Sequence, residues 1–221
     1  MIIPNVLVLC DNDLIGVEIK KIFLSKNFPV KIESSNLYDD LSVLIGQYDL
    51  IISAHCKKIF NKQLIESTRI INIHPGLNPY NRGMYPHIFS IINGLPTGAT
   101  IHEVDEKIDN GDILYQKEVT IHKNDDSKSL HERIMKVELE LFENNFNDII
   151  FGTYTKKKPS HKGNINYKLD FEKLKEIDLS DYDTFENHIN KLRAMTYGDY
   201  QNIFFYDENG DKIYIKIKLI K

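Results

Sequence analysis

The chain has no tryptophan, two cysteines and only four arginines among its 221 residues. The cysteines, Cys10 and Cys56, lie far apart and form no Cys-x-x-Cys pair. That excludes a disulfide framework and a cysteine-rich zinc site, and it fits a reducing compartment. No apolar run approaches the ~18 residues of a membrane span. The opening Met-Ile-Ile-Pro-Asn-Val-Leu-Val-Leu-Cys has no basic segment ahead of its apolar one and is not a signal peptide, so a cytoplasmic location is expected. There is no excess of positive charge: 28 Lys+Arg against 32 Asp+Glu gives a net −4, which disfavours a general nucleic-acid binder. None of the eight histidines falls in an HExxH or HxxxH spacing, so no metal is expected. There is no GxGxxG after the first strand, no GxxxxGK[ST] and no GxSxG, which disfavours a dinucleotide fold, a P-loop and a nucleophile elbow. Cys56 has a histidine next to it, but adjacent strand residues point oppositely, so a thiol–imidazole pair is not expected.

What remains is an ordinary globular composition, 42% hydrophobic and 27% charged, with length for one domain and a small appendage. Short apolar runs at 5–10, 29–33, 48–53 and 69–73 read as strands. Between the first two, Asp11-Asn12-Asp13 can cap a helix whose apolar face is Ile15, Ile19, Ile22 and Phe23. A short helix fits 61–67. Alternation of strands and helices predicts an α/β fold with a mostly parallel sheet. A helix over 85–92, alternating strands at 98–104 and 112–119 and a long amphipathic helix from Leu130 to near Gly152 follow. The expected organisation is a catalytic domain over 1–152, a Lys-, Ser- and Gly-rich surface crossing over 153–180, and a tail over 181–221. The tail carries a helix and a β-hairpin turned at Asn209-Gly210.

In open α/β sheets, ligands bind at the carboxyl ends of strands. That rule singles out the segment leaving the 69–73 strand, Asn72-Ile-His-Pro-Gly-Leu-Asn-Pro-Tyr-Asn-Arg-Gly83. Asn72 and His74 are two apart and share a strand face. A carboxamide can donate to an oxygen that becomes negative while an imidazole manages a proton. Asn78 and Arg82 follow closely, with Gly76 and Gly83 allowing close backbone approach. A carboxylate from the turn Asp105–Gly111 could face His74 and orient its ring.

These two motifs, Asn72-Ile-His-Pro-Gly…Pro79-Tyr-Asn-Arg-Gly83 and Gly98-Ala-Thr-Ile-His-Glu-Val-Asp-Glu-Lys-Ile-Asp109-Asn-Gly, resemble the formyltransferases that use 10-formyltetrahydrofolate. The resemblance covers about residues 1–150 and implies a Rossmann-like formyltransferase core with a short C-terminal helix and β-hairpin. It maps a catalytic set onto Asn72, His74 and Asp109. An acceptor amine attacks the formyl carbon, protonated His74, or His74 with Asn72, stabilises the oxyanion, and Asp109 orients His74 and helps move the proton. The segment Ser53–Phe60 resembles the loop whose backbone holds the pterin, which implies folate contacts at Cys56 and Lys57, with Asp105 nearby. Among family members, the phosphoribosylglycinamide type needs a phosphate-binding loop where this chain has acidic Asp11 and Asp13, and the methionyl-tRNA type carries a larger basic carboxyl domain. The short tail is similar to the sugar N-formyltransferases.

That comparison implies a dTDP-linked 4-amino-4,6-dideoxyhexose substrate, with a role in surface polysaccharide. The alternatives are the phosphoribosylglycinamide type and a silent folate- or nucleotide-binding module. For the nucleotide sugar, Arg193 and then Arg82 are expected at the diphosphate, Tyr200 stacking on the base and Asn202 at its edge, with Asn78 and Tyr80 lining the site. No membrane or nucleic-acid partner is expected. The exposed apolar residues of the hairpin suggest a homodimer.

Overall fold

The computed structural model describes residues 3–220. Val6–Cys10 (β1) is buried along its whole length, and its side chains alternate between two cores as a period of two requires. Val6, Val8 and Cys10 enter one core; Leu7 and Leu9 enter the other. Asn12 caps α1 (Asp13–Ser25), its side chain accepting the N–H groups of Leu14 and Ile15, and Ile15, Ile19, Ile22 and Phe23 form the buried stripe. The chain then lays down β2 (Lys31–Glu33), β3 (Leu50–Ala54), α2 (Lys62–Ser67) and β4 (Arg69–His74). After β4 come β5 (Arg82–Gly83), α3 (Pro86–Asn93), β6 (Gly98–Glu103), β7 (Ile113–Glu118), α4 (Ser127–Asn144) and α5 (Phe146–Phe151).

The central sheet has the order β2-β1-β3-β4-β6-β7. The first four strands are parallel; β6 and β7 join antiparallel. α1, α4 and α5 cover one face through Phe23, Phe142 and Phe146. Leu41, Leu44, Phe60 and Leu64 cover the other. The sheet is the mostly parallel, Rossmann-like arrangement expected. β4 ends in its middle, so His74 lies at the end of a central strand.

Three expectations are corrected. The long helix breaks at Asn145, whose side chain donates to Leu141 O, giving two helices instead of one. The 153–180 segment is more than a crossing. It contributes β8 (Ile165–Asn166), parallel to β5, and α6 (Lys168–Leu174), which buries Phe171. The tail is no separate appendage either. Its helix α7 (Phe185–Met195) packs Ala194 and Met195 into the same core as Ile88, Ile91, Leu130 and Ile134. The hairpin is present as β9 (Phe204–Tyr206) and β10 (Lys212–Tyr214), with Asp207 Oδ1 accepting the N–H groups of Asn209 and Asp211 across the turn.

Candidate active site

Asn72 and His74 project from β4 on the face opposite Ile71 and Ile73. Antiparallel β6 sets His102 opposite Asn72 and Thr100 opposite His74. Thr100 Oγ1 donates to Gly76 O at 2.7 Å and accepts the Asn78 N–H at 3.0 Å, which pins the turn after β4. A Cβ at Gly76 would overlap the His74 ring, so this turn requires glycine. The loop after β6 folds back across the strand ends. Asp109 holds a left-handed φ of 46°, a conformation aspartate adopts more readily than most residues. Its Oδ1 accepts from Asn72 Nδ2 at 3.0 Å and its Oδ2 accepts the Gly83 N–H at 2.9 Å. His74 Nδ1 lies 3.7 Å from Oδ2, and His102 Nε2 3.6 Å from Oδ1. Carboxamide, imidazole and carboxylate thus meet at one spot, from two separate turns.

The protonation pattern follows from the partners. Burial pushes His74 down to about 4, against the opposing pull of Asp109, so its ring is neutral at pH 7. Burial also opposes a charged Asp109, yet His74, His102 and the Gly83 N–H together hold its carboxyl below the ordinary range. His102 Nδ1 faces Glu103 O at 2.7 Å and is assigned the proton, so Nε2 accepts from Asn72 Nδ2 at 3.2 Å. Asn72 Nδ2 thus lies within hydrogen-bond reach of both Asp109 Oδ1 and His102 Nε2. In this arrangement Asn72 donates to Asp109 and so buttresses the carboxylate. Burial keeps the resting His74 ring neutral, so a protonated His74 arises only when the ring takes up a proton. His74 Nε2 and Asn78 Oδ1 are buried with no partner among the described residues. Buried polar atoms of this kind are completed by a ligand or water.

A profile for the family described as "Formyl transferase" matches residues 23–145. The chain belongs to the formyltransferase family. A second profile, "N-formyltransferase dimerization C-terminal domain", matches residues 170–221. The dTDP-4-amino-4,6-dideoxyglucose formyltransferase of Mycobacterium tuberculosis is 44% identical over 176 residues, covering 80% of this chain and 75% of that protein. The crystal structure of a 4-N formyltransferase from Francisella tularensis superposes with a TM-score of 0.94 at 39% identity, covering 99% of both chains. The formyltransferase PseJ of Anoxybacillus kamchatkensis, solved with UDP-4,6-dideoxy-4-formamido-L-AltNAc and tetrahydrofolate, aligns with a TM-score of 0.69 at 26% identity, over 86% of this chain and 97% of that one.

Within this formyltransferase the other expected residues fall into groups. Cys56 and Lys57 leave the end of β3, and the Lys57 N–H donates to Asp11 Oδ2 at 2.8 Å. Asp11 also accepts from Ser34 and Ser35, so the acidic loop after β1 ties three strand ends together. Asp105 accepts from Asn110 Nδ2 and the Lys107 N–H, shaping the Asp109 loop. Asn78 Nδ2 donates to Asp109 O at 2.9 Å. Tyr80 rests edge-on against His161 at 5.1 Å between ring centres. Tyr200 is exposed, 5.8 Å from the Tyr197 ring.

Two substrate assignments are corrected. Arg193 is buried, its Nη1 donating to His122 O and Asp125 O and its Nε to Asn190, so it braces α7 against the loop before α4 and does not meet a diphosphate. Arg82 is also buried and donates to Ile108 O, Asn110 Oδ1 and Lys162 O; it holds the Asp109 loop. Asn202 Nδ2 donates to Met195 O, within the tail.

Sequence reading missed His102, although a strand period of two places it on one face with Thr100. It also missed Glu138, which lies four residues after Ile134 and four before Phe142, inside the buried stripe of α4. A carboxylate at an apolar position of an amphipathic helix was the available signal.

Proposed function

We propose that this formyltransferase transfers a formyl group from 10-formyltetrahydrofolate to the amine of a dTDP-linked 4-amino-4,6-dideoxyhexose, with 4-amino-4,6-dideoxyglucose as its sugar. The observation that carries the chemistry is the meeting of Asn72, His74 and Asp109 around a buried His74 Nε2 that lacks a partner among the described residues. The sugar rests on the relative that is 44% identical. The residues fit the folate: two orphaned buried acceptors, His74 Nε2 and Asn78 Oδ1, lie at the strand ends, close to the Cys56–Lys57 backbone at the end of neighbouring β3. When bound, the folate supplies an activated formyl carbon.

The protein's part is proton handling. Asp109 next to Nδ1 favours the tautomer with the proton there, leaving Nε2 as an acceptor. As the acceptor nitrogen bonds to the formyl carbon it becomes acidic, and His74 Nε2 takes its proton. The imidazolium so formed lies beside a carboxylate already ionised, stabilises the oxygen that has gathered negative charge, and returns the proton to the departing nitrogen. Asp109 orients the ring and balances its transient charge; Asn72 and the Gly83 N–H hold Asp109 in place.

The enzyme works in the cytoplasm, in the supply of a formylated sugar for surface polysaccharide. It forms a homodimer through its tail, where Tyr206, Ile213 and Tyr214 expose apolar surface on the hairpin. No helix of the described residues is long and apolar enough to cross a membrane. The test is purified protein with 10-formyltetrahydrofolate and dTDP-4-amino-4,6-dideoxyglucose. Mass spectrometry should show the formamido sugar. Absence of sugar turnover with formylation of another amine would overturn the reading.

A further inference from the structure

The catalytic three leave one proton unaccounted for. An aliphatic amine of a sugar reaches neutral pH largely as an ammonium ion, and only the neutral amine is a nucleophile. His74, held down to about 4, and Asp109, held below the ordinary carboxylate range, are both poor bases for an ammonium ion. A second acid–base pair lies at the same end of the sheet. His55 follows β3 directly, with a left-handed φ of 57°, and β3 pairs with β4, so His55 and His74 leave neighbouring strands at the same end of the sheet. Its Nε2 is 3.0 Å from Oε2 of Glu138, whose side chain is 1% exposed. The other oxygen, Glu138 Oε1, is buried and has no partner among the described residues. Among the described residues, no lysine or arginine side chain bonds to Glu138.

We propose that Glu138 and His55 form the subsite that receives the acceptor's ammonium group and removes its extra proton before attack. This rests on the amino-sugar reading above. Glu138 Oε1 offers a free acceptor, in a dry setting, to an N⁺–H. The proton passes from the ammonium nitrogen to the carboxylate–imidazole pair, leaving R–NH₂, and then to bulk water through the edge of His55, which is 12% exposed. The second proton follows the His74 route when the new C–N bond forms.

The groups facing the pair are consistent with this duty. His131 lies 6.2 Å from the His55 ring, stacks on His87 at 4.5 Å, and its Nδ1 is 3.2 Å from the Tyr197 hydroxyl. Burial holds His131 down to about 4 and pushes His87 well below its ordinary value, so both are neutral and add no competing positive charge. Cys10, pushed up to about 11 by burial, is a neutral thiol. Burial raises Glu138. It opposes a charged His55, but Glu138 more than offsets that and raises His55, so both members of the pair hold a proton more readily than when free. Tyr197 leads on to exposed Tyr200, which connects this subsite to the surface of the tail.

The test is the pH profile of kcat/KM for the amino sugar in wild type, Glu138→Gln and His55→Gln. Glu138→Gln should lose about 100-fold at pH 7, then rise about tenfold per pH unit as the free amine deprotonates, approaching wild type near pH 9. Folate affinity should hold within threefold. A profile parallel to wild type, at any level of activity, would overturn the proposal. If Glu138→Gln fails to fold, His55→Gln carries the same test with the same two outcomes. Absence of sugar formylation in wild type would instead strike the function reading.

Discussion

Asp109→Asn removes the one charge that can balance an imidazolium at His74. The carboxylate lies 3.7 Å from Nδ1. At an effective dielectric near 20, such a pair interacts by about 4 kcal/mol. The replacement amide also has only one oxygen. Its NH₂ must point at either Asn72 Nδ2 or the Gly83 N–H, both of which are donors in the native site. One buried donor is left facing a donor, at about 1–3 kcal/mol. Part of that falls on the folded state as a whole, and part on the barrier. A barrier higher by about 3–4 kcal/mol slows turnover by about 10²–10³-fold. Because the counter-charge matters only once His74 is protonated, kcat should fall and both KM values should stay within about threefold. The assay is tetrahydrofolate formation at saturating donor and amino sugar, with thermal melting as a fold check. A well-folded variant with kcat within tenfold of wild type would refute the assigned role.

Gly76→Ala forces a Cβ against His74 Nε2 and Cδ2; kcat should drop by at least tenfold with circular dichroism unchanged, and full activity would show that the ring has room to move. Arg193→Ala leaves the buried carbonyls of His122 and Asp125 without donors, costing about 2–4 kcal/mol, or roughly 4–16 °C in Tm for a chain of this size; a raised KM with an unchanged melting point would restore it to the substrate. Folded His74 titrates at about 4 against 6.5 when unfolded, so its contribution is complete above pH 6.5 and is lost as pH falls toward 4, by about 3 kcal/mol. His131 shifts in the same direction. His74→Asn should therefore flatten the urea midpoint between pH 6.5 and 4, and an unchanged slope would contradict a buried neutral ring.

Much of this arrangement was legible in the residues. The short continuous apolar runs at β1, β3 and β4 declared themselves because these strands are buried in the centre of the sheet, and the four-residue stripe of α1 because it is the helix's one buried face. Asn72, His74 and Asp109 stood out because polar residues follow immediately where such strands end. What the sequence did not disclose depends on distance in three dimensions. Arg193 and Arg82 looked like free cations, since a one-dimensional reading cannot tell a guanidinium that meets a ligand from one wrapped by backbone carbonyls. The 153–180 segment looked structureless because β8 is only two residues long and exists through its pairing with β5. The neutrality of His74 is likewise a property of burial, which no local pattern encodes.

The central claim is that His74, with Asp109 behind it, moves the proton in the bond-forming step. Rapid-quench single-turnover formylation by His74→Asn, with wild-type levels of bound folate, addresses it most directly. The account predicts a chemical step slower by at least about 100-fold and unchanged folate affinity; a single-turnover rate equal to wild type would contradict it.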